Sequence, residues 1–321
     1  MPLLRIIPEA TKLDFVGARY VAFALDGLLL LAAIFSIAYH GFNLGIDFTG
    51  GVLMEVKAAH TIDIGDLRSQ VNSLGFPQSQ LQYFGGGECD QPINSCALIR
   101  VQPREARAGE DPNVLAQSVA RTIRAKLGES YQYRRNDVVG PKVSNELFHD
   151  GVYATLLAVL MIAIYVSVRF EWQYGIGAAF ATAHDVLVTA GLFSLFHLDF
   201  DLTSVAALLT LAGYSINDTV VVFDRIRENR RKYKRMSLPD LINLSTNHIA
   251  TRTTLVSLAT ALSVVPLLFG GPVLLNFSRA ILIGILVGTF SSTYVASALL
   301  LYMPPVGGKV TGGEKAADAS A

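Results

Sequence analysis

The sequence predicts a polytopic α-helical membrane protein with six transmembrane helices and one small α+β domain outside the bilayer. Three observations carry that prediction. Hydrophobic residues make up 51% of the 321 and charged residues only 16%, whereas soluble domains carry about a quarter charged residues; the mean hydropathy is +0.42. Six stretches have the length and apolarity to cross a hydrocarbon core of roughly 30 Å, which takes about 20 residues. Between the first and second of these, the pattern changes to alternating strand and helix periodicities. Lys+Arg and Asp+Glu balance at 26 each, which removes a global electrostatic case for binding nucleic acid. Two cysteines exclude a disulfide-rich scaffold and a four-cysteine zinc site.

Residues 1–19 carry Arg5, Lys12 and Arg19 ahead of the first span, Tyr20–Tyr39. That apolar stretch exceeds the roughly 7–15 residues of a cleavable signal core and no small-residue cleavage site follows, so 20–40 reads as an uncleaved anchor. Residues 41–148 form the α+β domain. Val52–Lys57 alternates after a double glycine and reads as a strand. Asp63–Leu74 has helical spacing at Ile64, Leu67, Val71 and Leu74, and Gly75 ends it. Gln80–Phe84 and Cys96–Gln102 read as strands around a loop containing Gly85-Gly-Gly87. Pro112–Leu127 is a helix with Val114, Ala116, Val119, Ile123 and Leu127 on one face, and Tyr131–Val139 is the last strand. The β-α-β-β-α-β order is ferredoxin-like.

Residues 149–302 hold the remaining spans: His149–Val168, Tyr174–Phe196, Thr203–Phe223, Thr253–Phe269 and Phe277–Tyr302. A loop, 224–250, lies between the fourth and fifth. It begins with the basic run Arg225–Arg235, and its later part reads as helical from a capping-box start at Ser237-Leu-Pro-Asp240, with Leu241, Ile242 and Leu244 as an apolar side. This run, Arg169, Lys309, Lys315 and the N-terminal cations all fall on one side. The positive-inside rule therefore makes both termini cytoplasmic and the 41–148 domain external. The 303–321 tail, small and polar from Gly307, is expected to be disordered.

Ionisable residues inside a span mark function by default. Span three carries His184-Asp185, span four carries Asn217-Asp218, and Arg252 borders span five. Asp26 in span one lies about two turns from Arg19, close enough to snorkel to the interface. Spans four and five are antiparallel, so Asp218 and Arg252 can pair across them. An Arg near an Asp favours the carboxylate, and moving it away favours the acid, the basis of a motion-coupled proton relay. His184 and Asp185 point about 100° apart, either as polar contacts to different neighbours or as a second proton-handling station. There is no HExxH, GxSxG or P-loop, and the histidines have no metal spacing, so neither a metal site nor covalent catalysis is expected. Ala280, Gly284, Gly288, Ser292 and Ala296 form a small-residue stripe on span six that lets another helix approach closely.

Five segments share a further property. Gly45-Ile-Asp47-Phe-Thr49-Gly50-Gly51 follows span one, Val139-Gly-Pro-Lys-Val-Ser144 precedes span two, and His184-Asp-Val186 lies in span three. Gly213-Tyr-Ser-Ile-Asn217-Asp-Thr-Val-Val-Val-Phe-Asp224-Arg225-Ile-Arg-Glu-Asn229 closes span four, and Thr251-Arg-Thr253 opens span five ahead of a glycine-rich sixth span. In this order they resemble the SecF family, the smaller membrane subunits of the bacterial SecDF protein-export complex, within the resistance-nodulation-division superfamily. The resemblance implies an inner-membrane subunit paired with SecD and associated with the SecYEG channel, using the proton-motive force to promote export of unfolded polypeptides without a cofactor. It matches Asp218 and Arg252 to the family's proton-transport residues; Thr251 stands where the family usually has serine. A small-molecule or lipid exporter half of the same superfamily is the alternative. An intramembrane aspartyl protease would need tyrosine-aspartate and GxGD sequences, both missing, and a purely structural anchor would carry no proton flux.

Cys89 and Cys96 lie outside that family pattern. The predicted topology puts both in an oxidising compartment, on a loop joining consecutive antiparallel strands. Pro92 and Asn94 supply turn chemistry, and six intervening residues allow the roughly 4.4–6.8 Å Cα separation of a disulfide.

Overall fold

The computed structural model describes residues 13–76, 79–84, 89, 93–103, 110–270 and 272–304. The expected Gly85–Gly87 loop feature, Pro92 and the tail from Gly307 lie outside these residues. The chain runs through α1 (Arg19–His40), β1 (Asn43–Leu44), α2 (Ile46–Thr49), β2 (Gly51–Ala58), α3 (Ile64–Asn72), β3 (Gln80–Tyr83), β4 (Cys96–Val101), α4 (Pro112–Leu127) and β5 (Tyr131–Val139). Then come α5 (Pro141–Arg169), α6 (Trp172–Leu195), β6 (Asp199–Phe200), α7 (Leu202–Lys232), α8 (Leu238–Val264) and α9 (Pro272–Phe290). A 3₁₀ segment extends α8 to Phe269, and a π-helical segment, Ser291–Ala296, carries α9 on towards Tyr302. Among the described residues, six helices are long and apolar enough to cross a membrane: α1 and α5 to α9.

The helices outrun the expected spans, most of all around the expected 224–250 loop. Ser237 caps α8 by accepting from the Asp240 amide, as its sequence predicts. With no glycine and no internal proline to stop it, that helix continues into the fifth span as one piece. At the other side α7 carries its basic residues to Lys232. Only residues 233–237 connect the two helices.

β2 to β5 form a four-stranded antiparallel sheet in the order β3-β4-β2-β5. One face packs α3 and α4 over Val52, Met54, Val56, Ile99, Leu67, Val71 and Ile123. Val114 departs from the expected α4 face: it is 63% exposed, while Ala116, Val119, Ile123 and Leu127 are buried. Asp63 caps α3 by accepting from the Gly65 and Asp66 amides. Cys89 and Cys96 are joined in a disulfide with Cα atoms 5.3 Å apart, and Asn94 takes a left-handed φ of 60° in the turn between them.

The Gly45–Gly51 segment is the joint between this domain and the helices. The Gly45 amide donates to Phe200 O, next to the parallel β1–β6 pair, and Asp47 Oδ2 accepts from the Leu202 amide at the start of α7 (2.9 Å). Thr49 Oγ1 donates back to Gly45 O. Gly51 has φ 128°, and a Cβ there would sit 2.6 Å from Val101 O, so only glycine turns the chain into β2 this close to β4. The opposite, polar face of the sheet meets the helix ends through Arg100, 3.5 Å from Asp199, with Gln82 and Asn43 also donating to that carboxylate.

Candidate functional site

Three adjacent helices change character at one depth. On α6, Ala178 and Ala181 belong to an apolar layer at the α7–α8 connection end, and Val186 and Phe193 to a second layer at the domain end. α7 repeats this with Val222 and Phe223 against Leu208 and Leu211, and the last membrane helix with Ala296 against Ile281 and Ile285. Between the layers sit His184 and Asp185, Ser215 and Asp218, and Gly288 and Ser292. The four side chains His184, Asp185, Ser215 and Ser292 are 4%, 0%, 0% and 0% exposed. Apolar packing closes this polar row from both ends.

Hydrogen bonds organise the row into two sets. Ser215 Oγ donates to Asp185 Oδ2 (2.6 Å), and Asp185 Oδ1 lies 3.0 Å from His184 Nδ1. One turn further along α7, Asp218 Oδ2 accepts from Ser292 Oγ (2.5 Å). Ser292 lies in the π-helical segment, a distortion that often marks functional sites. The approach of α9 depends on glycine: a Cβ on Gly288 would lie 3.2 Å from Asp185 Oδ2, and one on Gly284 2.3 Å from Leu211. The small-residue stripe of span six is therefore spent on packing inside this chain.

The structure brings His184, Asp185 and Asp218 into one buried region but leaves Arg252 apart. No Asp218–Arg252 ion pair forms among the described residues; Asp218 has Ser292 instead. Arg252 is exposed and lines a cavity of about 600 Å³ between α5, α7 and α8, with Arg169, Asp224, Arg225, Glu228 and His248. Arg225 is held there by Glu228 (2.6 Å) and His248. The helix-to-helix pairing expected from chain direction fails because residue 252 points out of the bundle and its neighbour Thr253 points in, 4% exposed. Asn217 and Gly213 face outward on α7. Among the described residues no group of three or more His, Cys, Asp or Glu side chains is placed to hold a metal ion.

Asp26 overturns the expectation of snorkelling. It is 4% exposed, with Oδ2 3.6 Å from His184 Nε2. Its position in the α1–α6 contact, rather than its distance from Arg19, decides where the side chain goes. The sequence carries no sign that Ser215 and Ser292 partner the aspartates, because isolated serines on apolar helices usually bond to their own backbone. The four-residue stripe was the available signal for Ser292.

Comparison with known proteins identifies the family. Residues 119–305 match the family described as protein export membrane protein SecD/SecF, C-terminal, and residues 35–62 the SecD/SecF GG motif. The chain belongs to the SecF family. The protein translocase subunit SecF of Escherichia coli O157:H7 is 41% identical over 289 residues, covering 90% of this chain and 87% of the relative. That of Cereibacter sphaeroides is 40% identical over 303 residues, covering 94% and 92%. The crystal structure of SecDF, a translocon-associated membrane protein from Thermus thermophilus, superposes with a TM-score of 0.79 at 34% identity. It matches 94% of this chain, which spans 39% of that longer one. A second SecDF structure, in a super-membrane-facing form, gives 0.65. The chain is thus a multi-pass bacterial membrane protein of the SecF family with a role in protein export. Within the family segments, the GG motif is the domain joint, and 119–305 contains the polar row on α6, α7 and α9. Asp26 lies in neither segment.

Proposed function

We propose that this SecF-family chain works with SecD at the cytoplasmic membrane as a proton-driven accessory of the SecYEG channel, helping unfolded polypeptides leave on the outer side. It does so as a machine part without cofactor or covalent catalysis. The observation that supports this reading is the closed polar row, with Asp218 on Ser292 and Asp185 between Ser215 and His184. A charged carboxylate held in an apolar bundle is costly, and protonation removes that cost. Each proton crossing supplies roughly 2.3 kcal/mol per 100 mV, enough to change which hydrogen bonds the row makes.

Arg252 would act from the nearby cavity, approaching Asp218 in another state of the cycle and favouring release of its proton. Movement between helices would reach the α+β domain through Asp47 at the start of α7 and Arg100 on Asp199. The different TM-scores against the two SecDF forms fit a family that changes shape. SecD would dock on the outward stripe of α7, where Thr210, Gly213 and Asn217 are exposed at a depth where lipid offers polar groups no partner.

Export assays in membrane vesicles carrying both subunits test the reading. Asp218→Asn keeps the side-chain shape and should leave SecD co-purification intact while abolishing proton-dependent stimulation of export. Arg252→Lys should impair it through loss of the planar fork. Full stimulation in Asp218→Asn at a normal proton-motive force would overturn the proposal.

A further inference from the structure

Helices α1 and α6 pack in parallel along one regular seam. Ser36 Oγ lies 2.9 Å from Ser194 Oγ, an offset of 158 residues, and Ser194 Oγ donates onward to Gly41 O. At the same offset, a Cβ on Gly191 would come within 2.2 Å of Ala33 Cβ, so the helices touch there. One heptad earlier, again at that offset, Asp26 meets His184. The positions 26, 33 and 36 are spaced as the buried seam of a parallel coiled coil. An aspartate occupies a place where packing wants an apolar side chain.

Nothing structural on the seam satisfies that aspartate. Both Asp26 oxygens are buried without a hydrogen-bond partner, and so is His184 Nε2. A carboxylate left this way in an apolar bundle is expensive. Ser36–Ser194 and Ala33–Gly191 already hold the helices together, so stability alone does not call for an acid here. The charged or titratable groups facing this point are His184 and Asp185 on α6. The π-helical segment packed against α1 presents Tyr294, tilted against the Phe15 ring, and no ionised side chain.

We propose that Asp26 is a further proton-handling residue, sharing one proton with His184 across the α1–α6 seam. This rests on the proton-driven reading above and extends its site onto α1. With His184 Nδ1 donating to Asp185, Nε2 is a free acceptor for a protonated Asp26. With the proton on Nε2, the imidazolium lies between two carboxylates. The proton moves between Asp26 Oδ2 and Nε2, and no other bond changes. The 3.6 Å separation must close by about half an ångström to reach hydrogen-bond distance, so occupancy of the pair and seating of α1 are coupled.

The pH profile of export stimulation in vesicles carrying the full chain and SecD tests this. Asp26→Asn should shift the profile's midpoint by about one unit and cut stimulation at neutral pH roughly tenfold, while Asp26→Glu, which keeps the acid, restores both. Ser36→Ala, on the same seam without a titrating group, should leave the profile in place. His184→Gln reaches the same proton from the other side and should give the same displaced profile, which keeps the test decisive should Asp26→Asn impair assembly. The double variant should be no worse than the worse single one. Asp218→Asn run alongside separates two failures. Loss of stimulation there with unmoved Asp26→Asn and His184→Gln profiles overturns this inference alone. No loss there overturns the proton reading and this inference with it.

Discussion

Side by side, Glu55 and Asp218 show how much a carboxylate's surroundings decide. Glu55 sits on β2, 8% exposed, on the sheet face turned to the helix ends. Burial raises its pKa above the usual 4.5, and the nearby Arg135 and Arg134 only partly offset this. Because the folded value is the higher one, Glu55 stabilises the fold fully below about pH 4.5, and that contribution is lost as pH rises through the folded value. Glu55→Gln should therefore raise the thermal midpoint of the full chain in detergent at pH 7 and make little difference at pH 4. A Gln variant that is less stable at pH 7 would mean that the Arg135 contact, 3.8 Å away, outweighs burial. The aspartates of the membrane part were legible as functional candidates from sequence, since charge is rare at that depth. Their partners were not. Whether Arg252 or Ser292 faces Asp218 depends on the rotation of α8, and a uniformly apolar helix leaves that rotation unspecified.

Elements were largely readable where a periodicity or a cap defines them. The Ser237 cap, the α4 and β5 bounds and the presence of six spans all follow from the pattern of side chains. Span lengths did not, because hydropathy reports the part of a helix in lipid and α7 and α8 continue well past it. Two glycines illustrate the same limit. Gly288 on α9 was readable as a packing residue, yet sequence alone left open whether the partner helix is in this chain. It is: the neighbours are Asp185 and Ser215. Gly213 on α7 is the outward one, and a Cβ there meets no atom within 4 Å. Gly288→Leu should overpack the bundle by about 1–3 kcal/mol or more, lowering thermal stability and membrane yield, while Leu286→Ala, at a position 75% exposed, stays mild. Gly213→Leu should leave the isolated chain's stability unchanged and reduce SecD recovery on co-purification. Equal SecD recovery from Gly213→Leu and wild type would remove α7's outward stripe as the docking face.

Across the whole molecule, an α+β domain is fastened to a helix bundle that holds a buried row of polar side chains. The disulfide closes a short loop at the domain's far side, away from the joint at Gly45–Gly51; a ring of this size contributes about 2–3 kcal/mol in the loop-entropy account. That division of labour was foreshadowed by composition: apolar spans carrying a few charges, then a compact domain with ordinary strand and helix patterns. The seam between α1 and α6 was hidden, since a heptad match between two apolar helices far apart in sequence has no local signature. In the proposed function, protons pass through the bundle by way of Asp218. Proteoliposomes holding the chain with SecD and an internal pH dye, given an inward proton gradient, measure this directly. Acidification that falls to the protein-free rate in Asp218→Asn, with the complex still assembled, is the predicted result; wild-type and Asp218→Asn vesicles acidifying at the same rate would contradict it.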